Sequence, residues 1–246
     1  MGDVSVITVC LNSINTIRCT LESVHNQGEV VHEHIIIDGC SSDGTLEFIE
    51  RFKTKSSSLQ LYTEAANGIY SAINKGLEVA SSEWICLLHS DDQFYCKNTL
   101  KKMLSGVGRL ENVIYADLEF YKNDVRVRTW TAGSFDRNKL KFGWVPPHPT
   151  LLIRRDYAIK IGLYLESYRI SSDFDYCLRV FSDPDCRPYY FSHPSVKMLV
   201  GGVSTAGIKN TFVKFLEDIS IMRRHQINPI VGIFYKKIFK IPQLID

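Results

Sequence analysis

The first ninety residues alternate between short apolar runs rich in β-branched residues and stretches whose apolar residues recur three and four apart. Few architectures accept that alternation. Residues 4–11 are almost wholly apolar, and Ile14, Ile17, Leu21 and Val24 follow at helical spacing. Residues 34–38 and then 45–52 repeat the pattern. Residues 59–63 lead to Ile69, Ala72, Ile73, Gly76, Leu77 and Ala80 on one helical face, and then to a strand over 84–88. Four strands interleaved with three helices imply an α/β sheet, mostly parallel, with right-handed crossovers.

After residue 110 the alternation stops. Short strands over 113–120, 125–131 and 150–153 are separated by turns at Gly133, Gly143 and Pro146-Pro147, which predicts an α+β half packed on the first. One domain is expected over 1–209, in halves 1–110 and 111–209, with C-terminal helices in 210–246. A helix is expected from Asn210 to about residue 225. Residues 227–245 combine Ile, Phe and Tyr with Lys236, Lys237 and Lys240. That mixture suits either an anionic membrane surface, with Phe234, Tyr235 and Phe239 inserted, or a terminal helix packed on the core.

Composition removes several classes. The 29 Lys and Arg against 27 Asp and Glu leave a formal charge of +2, too small for a global field that draws nucleic acid. Seven cysteines include no C-x-x-C pair, which argues against a disulfide framework or a thiolate zinc site and for a reducing cytosol. The run at 4–11 has no basic residues before it and reads as a strand rather than a signal peptide. No stretch reaches the roughly 18 apolar residues of a membrane span. The expected location is cytoplasmic, including peripherally on the inner face of the cell membrane.

In open α/β sheets ligands sit beyond the carboxyl ends of the strands, and those ends are polar here. They carry Asn12-Ser13, Asp38 through Thr45, and His89-Ser90-Asp91-Asp92. Singly, Asp38-Gly39 and Asp43-Gly44 are turn formers and Asp91-Asp92 ends a strand. Together, four carboxylates on one rim repel each other unless a divalent cation offsets them. Mg2+ or Mn2+ with a diphosphate ligand fits that requirement. No G-x-x-x-x-G-K-[ST] loop is present, and residues 106–111 lack the third glycine of a dinucleotide fingerprint.

These residues resemble the family 2 nucleotide-sugar glycosyltransferases of the GT-A fold, of bacterial polysaccharide or O-antigen type. The resemblance covers most of 3–205. It rests on residues 4–9 with Asn12, on 38–45, on Asn67-Gly68-Ile69-Tyr70 through Gly76, and on His89-Ser90-Asp91-Asp92. Further along it rests on His148-Pro149-Thr150, on Ser172-Asp173-Phe174-Asp175-Tyr176 with Leu178-Arg179, and on Gly201-Gly202-Val203-Ser204. It implies a nucleotide-binding half over 1–110 and an acceptor half over 111–209. Thr8, Asn12, Asp38, Asp43 and Lys75 would hold the donor, a UDP-sugar. Asp92, with Asp91, matches the metal-binding end of the family's D-x-D motif. Asp173 matches the general base of an inverting transfer to a saccharide or lipid-linked saccharide, with Asp175 as its competitor. His148 and Trp144 are candidates for pyrophosphate or acceptor contacts. Two departures stand out: Ser71 replaces a common Asp, and His89 a common Asn. The alternatives are a sugar nucleotidyltransferase, although residues 12–20 offer one Arg18 and no glycine, and a non-catalytic sugar-nucleotide-binding protein.

Overall fold

The computed structural model describes residues 3–65, 68–200 and 207–238. Strand β1 (Val4–Cys10) is buried along its whole length. It lies between β2 (Val31–Asp38) and β4 (Trp84–Leu87), both parallel to it, and β3 (Leu59–Thr63) adds beyond β2. Helices α1 (Ile17–His25), α2 (Thr45–Lys53) and α3 (Ile69–Val79) make the crossovers. Side chains alternate between the faces of a strand. Ile35 and Ile37 therefore join Tyr70, Ala72 and Ile73 of α3 on one side, while Ile36 joins Ile17, Leu21 and Ile49 of α1 and α2 on the other. Burial on both faces is why these strands read as unbroken apolar runs. Gly76 lets α3 settle on β1, since a Cβ there would fall 2.4 Å from Ile7 Cγ2.

The sheet does not stop at residue 110. Strand β8 (Leu152–Arg154) pairs antiparallel with β4, and β6 (Val113–Lys122) pairs antiparallel with β8. Strand β9 (Pro188–Leu199) runs parallel to β6, and β7 (Val125–Trp130) forms a hairpin with β6. The three-residue β5 (Asp92–Phe94) crosses from the end of the first half to pair with β9. Among the described residues the result is one nine-stranded mixed sheet in the order β3-β2-β1-β4-β8-β6-β9-β5, with β7 on β6. Helices α4 (Thr99–Ser105), α5 (Arg155–Ile161) and α6 (Ser172–Ser182) complete the body, followed by α7 (Gly207–Arg224) and α8 (Pro229–Ile238).

Helix α8 packs on the body. Gly232 approaches Met222 so closely that a Cβ would lie 2.8 Å from its sulfur, and Tyr235 stacks on Phe142 with centroids 5.4 Å apart. Lys236 Nζ sits 3.3 Å from the centre of the Phe174 ring and donates to Asp218 Oδ2 at 3.1 Å. This corrects the lipid-facing expectation for Tyr235 and Lys236, which turn inward because an aromatic ring and a carboxylate await them. The side chain of Lys237 and all of Phe239 and Lys240 lie outside the described residues. Among the described residues no helix is long and apolar enough to cross a membrane.

Candidate active site

The chain leaves β1 toward β2 and β3, then returns to β4 on the other side of β1. The crevice of such a sheet lies at that switch point, here between the carboxyl ends of β1 and β4. The loops around it are stitched together. Asn12, held at φ +51°, donates its backbone N–H to Ser41 Oγ (2.8 Å) and accepts from Ser42 N–H through Oδ1 (2.9 Å). Ser13 N–H donates to Thr45 Oγ1 (2.9 Å), and the Ser13 and Ser90 hydroxyls lie 2.9 Å apart, joining the β1 loop to the β4 loop. Asp43 accepts from Ile14 N–H (3.1 Å), Thr45 N–H (3.1 Å) and Thr45 Oγ1 (2.5 Å), and these bonds, the Thr45 hydroxyl foremost, hold its carboxyl below the usual range. Asn12 and Asp43 thus shape an exposed rim.

Other expected donor residues sit deeper. Asp38 is fully buried and accepts from Ser41 N–H (2.7 Å), Ser41 Oγ (2.6 Å) and Cys10 Sγ (3.3 Å). Its carboxylate thereby builds the turn that forms the rim. Thr8 is fully buried, 2.9 Å from His34 Nε2, and burial pushes His34 down to about 3, so that imidazole is neutral. Neither side chain has an open surface toward the crevice. Lys75 is half-exposed and pairs with Glu64 (3.7 Å), whose N–H bonds the Asp38 carbonyl. That contact places Lys75 beside the ends of β2 and β3.

The Asp91-Asp92 pair is divided by the start of β5. Asp92 is fully buried, and among the described residues neither of its carboxylate oxygens has a hydrogen-bond partner. Burial, helped by the charge of Asp91, pushes its carboxyl well above the usual range. Asp91 is partly exposed at the strand end. Of the two, Asp91 is the more exposed carboxylate, while Asp92 is enclosed with both oxygens unpartnered. No group of three or more His, Cys, Asp or Glu side chains that could hold a metal ion occurs among the described residues. One accessible carboxylate beside a diphosphate nevertheless suits a hard divalent cation, which takes one or two carboxylates and completes its shell with phosphate oxygens and water.

Across the crevice, Asp173 occupies the first turn of α6, partly exposed, with Oδ1 accepting from Phe174 N–H (2.8 Å). Asp91 and Asp173 both act electrostatically on His89, which burial pushes down and the two carboxylates pull up. Asp173 also acts on His148, held down at about 4 by burial, whose Nε2 lies 2.7 Å from the Tyr164 hydroxyl. Residues from both halves thus lie within electrostatic reach of one another. Asp175 does not join them. It is fully buried, accepts from Arg179 Nε at 2.8 Å and lies 2.9 Å from His225 Nε2. Trp144 is buried among Tyr115, Phe135 and Phe181, an aromatic core position rather than a platform for a sugar.

Sequence reasoning gave no role to the residues that tie these loops together, although Tyr70, Asn74 and Tyr176 stand within the motif blocks. Tyr70 donates to the Ile170 carbonyl (2.6 Å), and Asn74 exchanges bonds with the Tyr164 backbone (3.0 and 2.8 Å). Tyr164 stacks between Tyr70 and Tyr176. Glu217 of α7 accepts from the N–H groups of Arg169, Ile170 and Ser171 at 2.7, 2.9 and 2.9 Å, holding the loop that enters α6. For Glu217 the available signal was the acidic pair Glu217-Asp218 in a terminal segment whose charges are mostly basic.

The fold recurs in solved glycosyltransferases. S. aureus TarS 1-349 in complex with UDP-GlcNAc superposes with a TM-score of 0.70 at 19% identity, over 90% of this chain and 67% of that one. A Pyrobaculum calidifontis mannosyltransferase, PcManGT, in complex with GDP-Man and Mn2+ gives 0.64 at 14% identity, over 91% and 64%. The chain spans 40% of the longer TarS chain. This is the GT-A fold. The profile of glycosyl transferase family 2 matches residues 5–170, and the chain belongs to that family. The PGL/p-HBAD biosynthesis glycosyltransferase of Mycobacterium tuberculosis (strain ATCC 25177 / H37Ra) is 29% identical over 217 residues, covering 86% of this chain and 83% of that protein. The putative teichuronic acid biosynthesis glycosyltransferase TuaG of Bacillus subtilis (strain 168) is 36% identical over 102 residues, 41% of this chain and 40% of that one.

Proposed function

We propose that this chain transfers a sugar from a UDP-sugar to a hydroxyl of a saccharide acceptor carried on a lipid, in one inverting displacement. The observation that carries the reading is the placement of Asp173, a partly exposed carboxylate on the acceptor side within electrostatic reach of the site around His89 and Asp91. Asp173 accepts the proton of the attacking hydroxyl as the new glycosidic bond forms and the bond to the diphosphate breaks on the opposite face of the sugar. Asp175 does not compete, because its oxygens are engaged by Arg179 and His225.

The rim of Asn12 and Asp43 borders the donor, Lys75 lies beside it, and Asp38 shapes its wall through Ser41. Asp91 would hold a divalent cation, Mn2+ or Mg2+, which when bound supplies positive charge to the departing diphosphate. The UDP-GlcNAc complex of TarS and the GDP-Man and Mn2+ complex of PcManGT support a nucleotide-sugar donor and a metal. The relatives named for PGL/p-HBAD and teichuronic acid biosynthesis support the acceptor class.

The test measures UDP release from a panel of UDP-sugars, with water standing in for the acceptor, alongside calorimetric UDP affinity with and without Mn2+. Asp173→Asn should lower turnover by about 10²- to 10⁴-fold at unchanged UDP affinity. Asp91→Asn should remove the Mn2+ dependence of UDP binding. Near-normal turnover in Asp173→Asn, with Asp175→Asn folded and inactive, would sink the assignment.

A further inference from the structure

The inward-facing sides of α7 and α8 are fully occupied. Glu217 binds the loop before α6, Ile221 and Met222 are buried, and Gly232, Tyr235 and Lys236 pack on the body. The outward sides are different. Phe212 is 61% exposed, Ile230 81% and Phe234 64%, with Phe215, Leu216 and Val231 also exposed. Six of the sixteen exposed large apolar side chains among the described residues lie on this one helical hairpin. Elsewhere among the described residues they come singly or in pairs, such as Val125 with Val127. Here they have helical spacing: Phe212, Phe215 and Leu216 are three and four apart, as are Ile230 and Phe234.

Cations share that face. Lys209, Leu216 and Arg223 follow one another at intervals of seven, so Lys209 and Arg223 flank the apolar patch of α7 on the same side, and both are exposed. Residues 207–246 hold seven Lys and Arg against three Asp and Glu, whereas the rest of the chain has more acidic than basic residues. A second copy docking through this face would set the basic patch against itself, because a two-fold contact pairs the same surface on both partners. An aromatic, apolar helix face with a cationic border matches instead the boundary between anionic headgroups and acyl chains.

We propose that the outward face of the α7–α8 hairpin docks on an anionic lipid surface through Phe212, Phe215, Leu216, Ile230 and Phe234, with Lys209 and Arg223 on the headgroups. This deepens the proposed transfer to a lipid-borne acceptor and rests on that reading for its purpose. Because Glu217, on another side of α7, holds the loop that leads to Asp173, docking sets the base roughly one helix diameter, about 10 Å, from the lipid headgroups.

The experiment sediments the full chain with vesicles of phosphatidylglycerol and phosphatidylcholine, and with phosphatidylcholine alone. The chain should sediment with the anionic vesicles, less so in high salt, and little with the neutral ones. Phe212→Ser combined with Phe234→Ser should weaken partitioning by about tenfold or more at unchanged UDP affinity. Lys209→Glu with Arg223→Glu should abolish the preference for anionic lipid, and it decides the question if the apolar variant does not fold. Absence of sedimentation, binding undiminished in both variants, equal binding to neutral vesicles, or a dimer in light scattering that the apolar variant makes monomeric would each overturn the proposal. UDP-sugar turnover is scored separately, so lost turnover with intact vesicle binding would count against the transferase reading alone.

Discussion

Replacing Glu217 with Ala removes the acceptor for three consecutive backbone N–H groups without touching the crevice. The Arg169 N–H is exposed and water replaces the lost bond. Those of Ile170 and Ser171 belong to buried residues and are left unpaired. A buried donor stranded in this way costs about 1–3 kcal/mol, so the loop in its present position loses about 2–6 kcal/mol and shifts to recover part of it. Ser171 is the residue from which α6 starts, two positions before Asp173. A displacement of about 1 Å at a reacting group costs on the order of 10²-fold in rate.

Glu217→Ala should therefore lower UDP-sugar turnover by about 10²-fold while UDP affinity stays near that of the unaltered chain, because the rim around Asn12 and Asp43 belongs to other elements. Glu217→Gln keeps one carbonyl oxygen able to accept two of the bonds and should recover much of the loss. Steady-state turnover and calorimetric UDP binding on the three proteins separate positioning from general instability, which would reduce both quantities together. If Glu217→Ala retains full turnover, the loop holds Asp173 without α7 and the reasoning fails.

Two stability predictions follow from the interior. Gly76→Ala would place a methyl group 2.4 Å from Ile7 Cγ2 and should destabilise the fold by about 1–3 kcal/mol in urea titration; an unchanged midpoint would mean that α3 can slide on β1. His34 and His148, pushed down to about 3 and about 4 by burial, stay neutral in the folded chain while an unfolded histidine takes a proton near 6.5. The stability they preserve is complete above that value and is lost as pH falls toward the folded values. Between pH 7 and pH 5 each should cost about 2 kcal/mol, and His34→Gln should flatten that slope by about half.

The legible part of the fold is the part whose elements are long and covered on both faces. Strands β1 and β2 show as apolar runs because α3 packs on one side and α1 with α2 on the other. Strand β5, three residues long, and α4, seven residues long, are too short to display a period. The continuity of the sheet from β4 to β8 was illegible because it depends on an antiparallel pairing between residues some seventy positions apart.

The site was legible as a set of residue types and not as a set of directions, and one physical reason covers both ambiguous acid pairs. Side-chain direction turns with the backbone: Asp91 lies in the turn that the Asp92 N–H closes on the His89 carbonyl and Asp92 opens β5, so the two carboxylates differ in exposure. Residues two apart on a helix lie about 200° apart, so Asp173 and Asp175 cannot both face the crevice. In each pair one carboxylate is buried in the body and the other is partly exposed. Which one is buried depends on what the body offers. For Asp175 that is Arg179 and His225, and His225 directly follows α7, fifty positions further along the chain. The position of Asp173 is therefore decided from the C-terminal hairpin, through Glu217 on the loop and His225 on the neighbouring acid. A chain cut before α7 should keep the rim of Asn12 and Asp43, whose bonds reach no further than β4 and its loop, and lose the placement of Asp173.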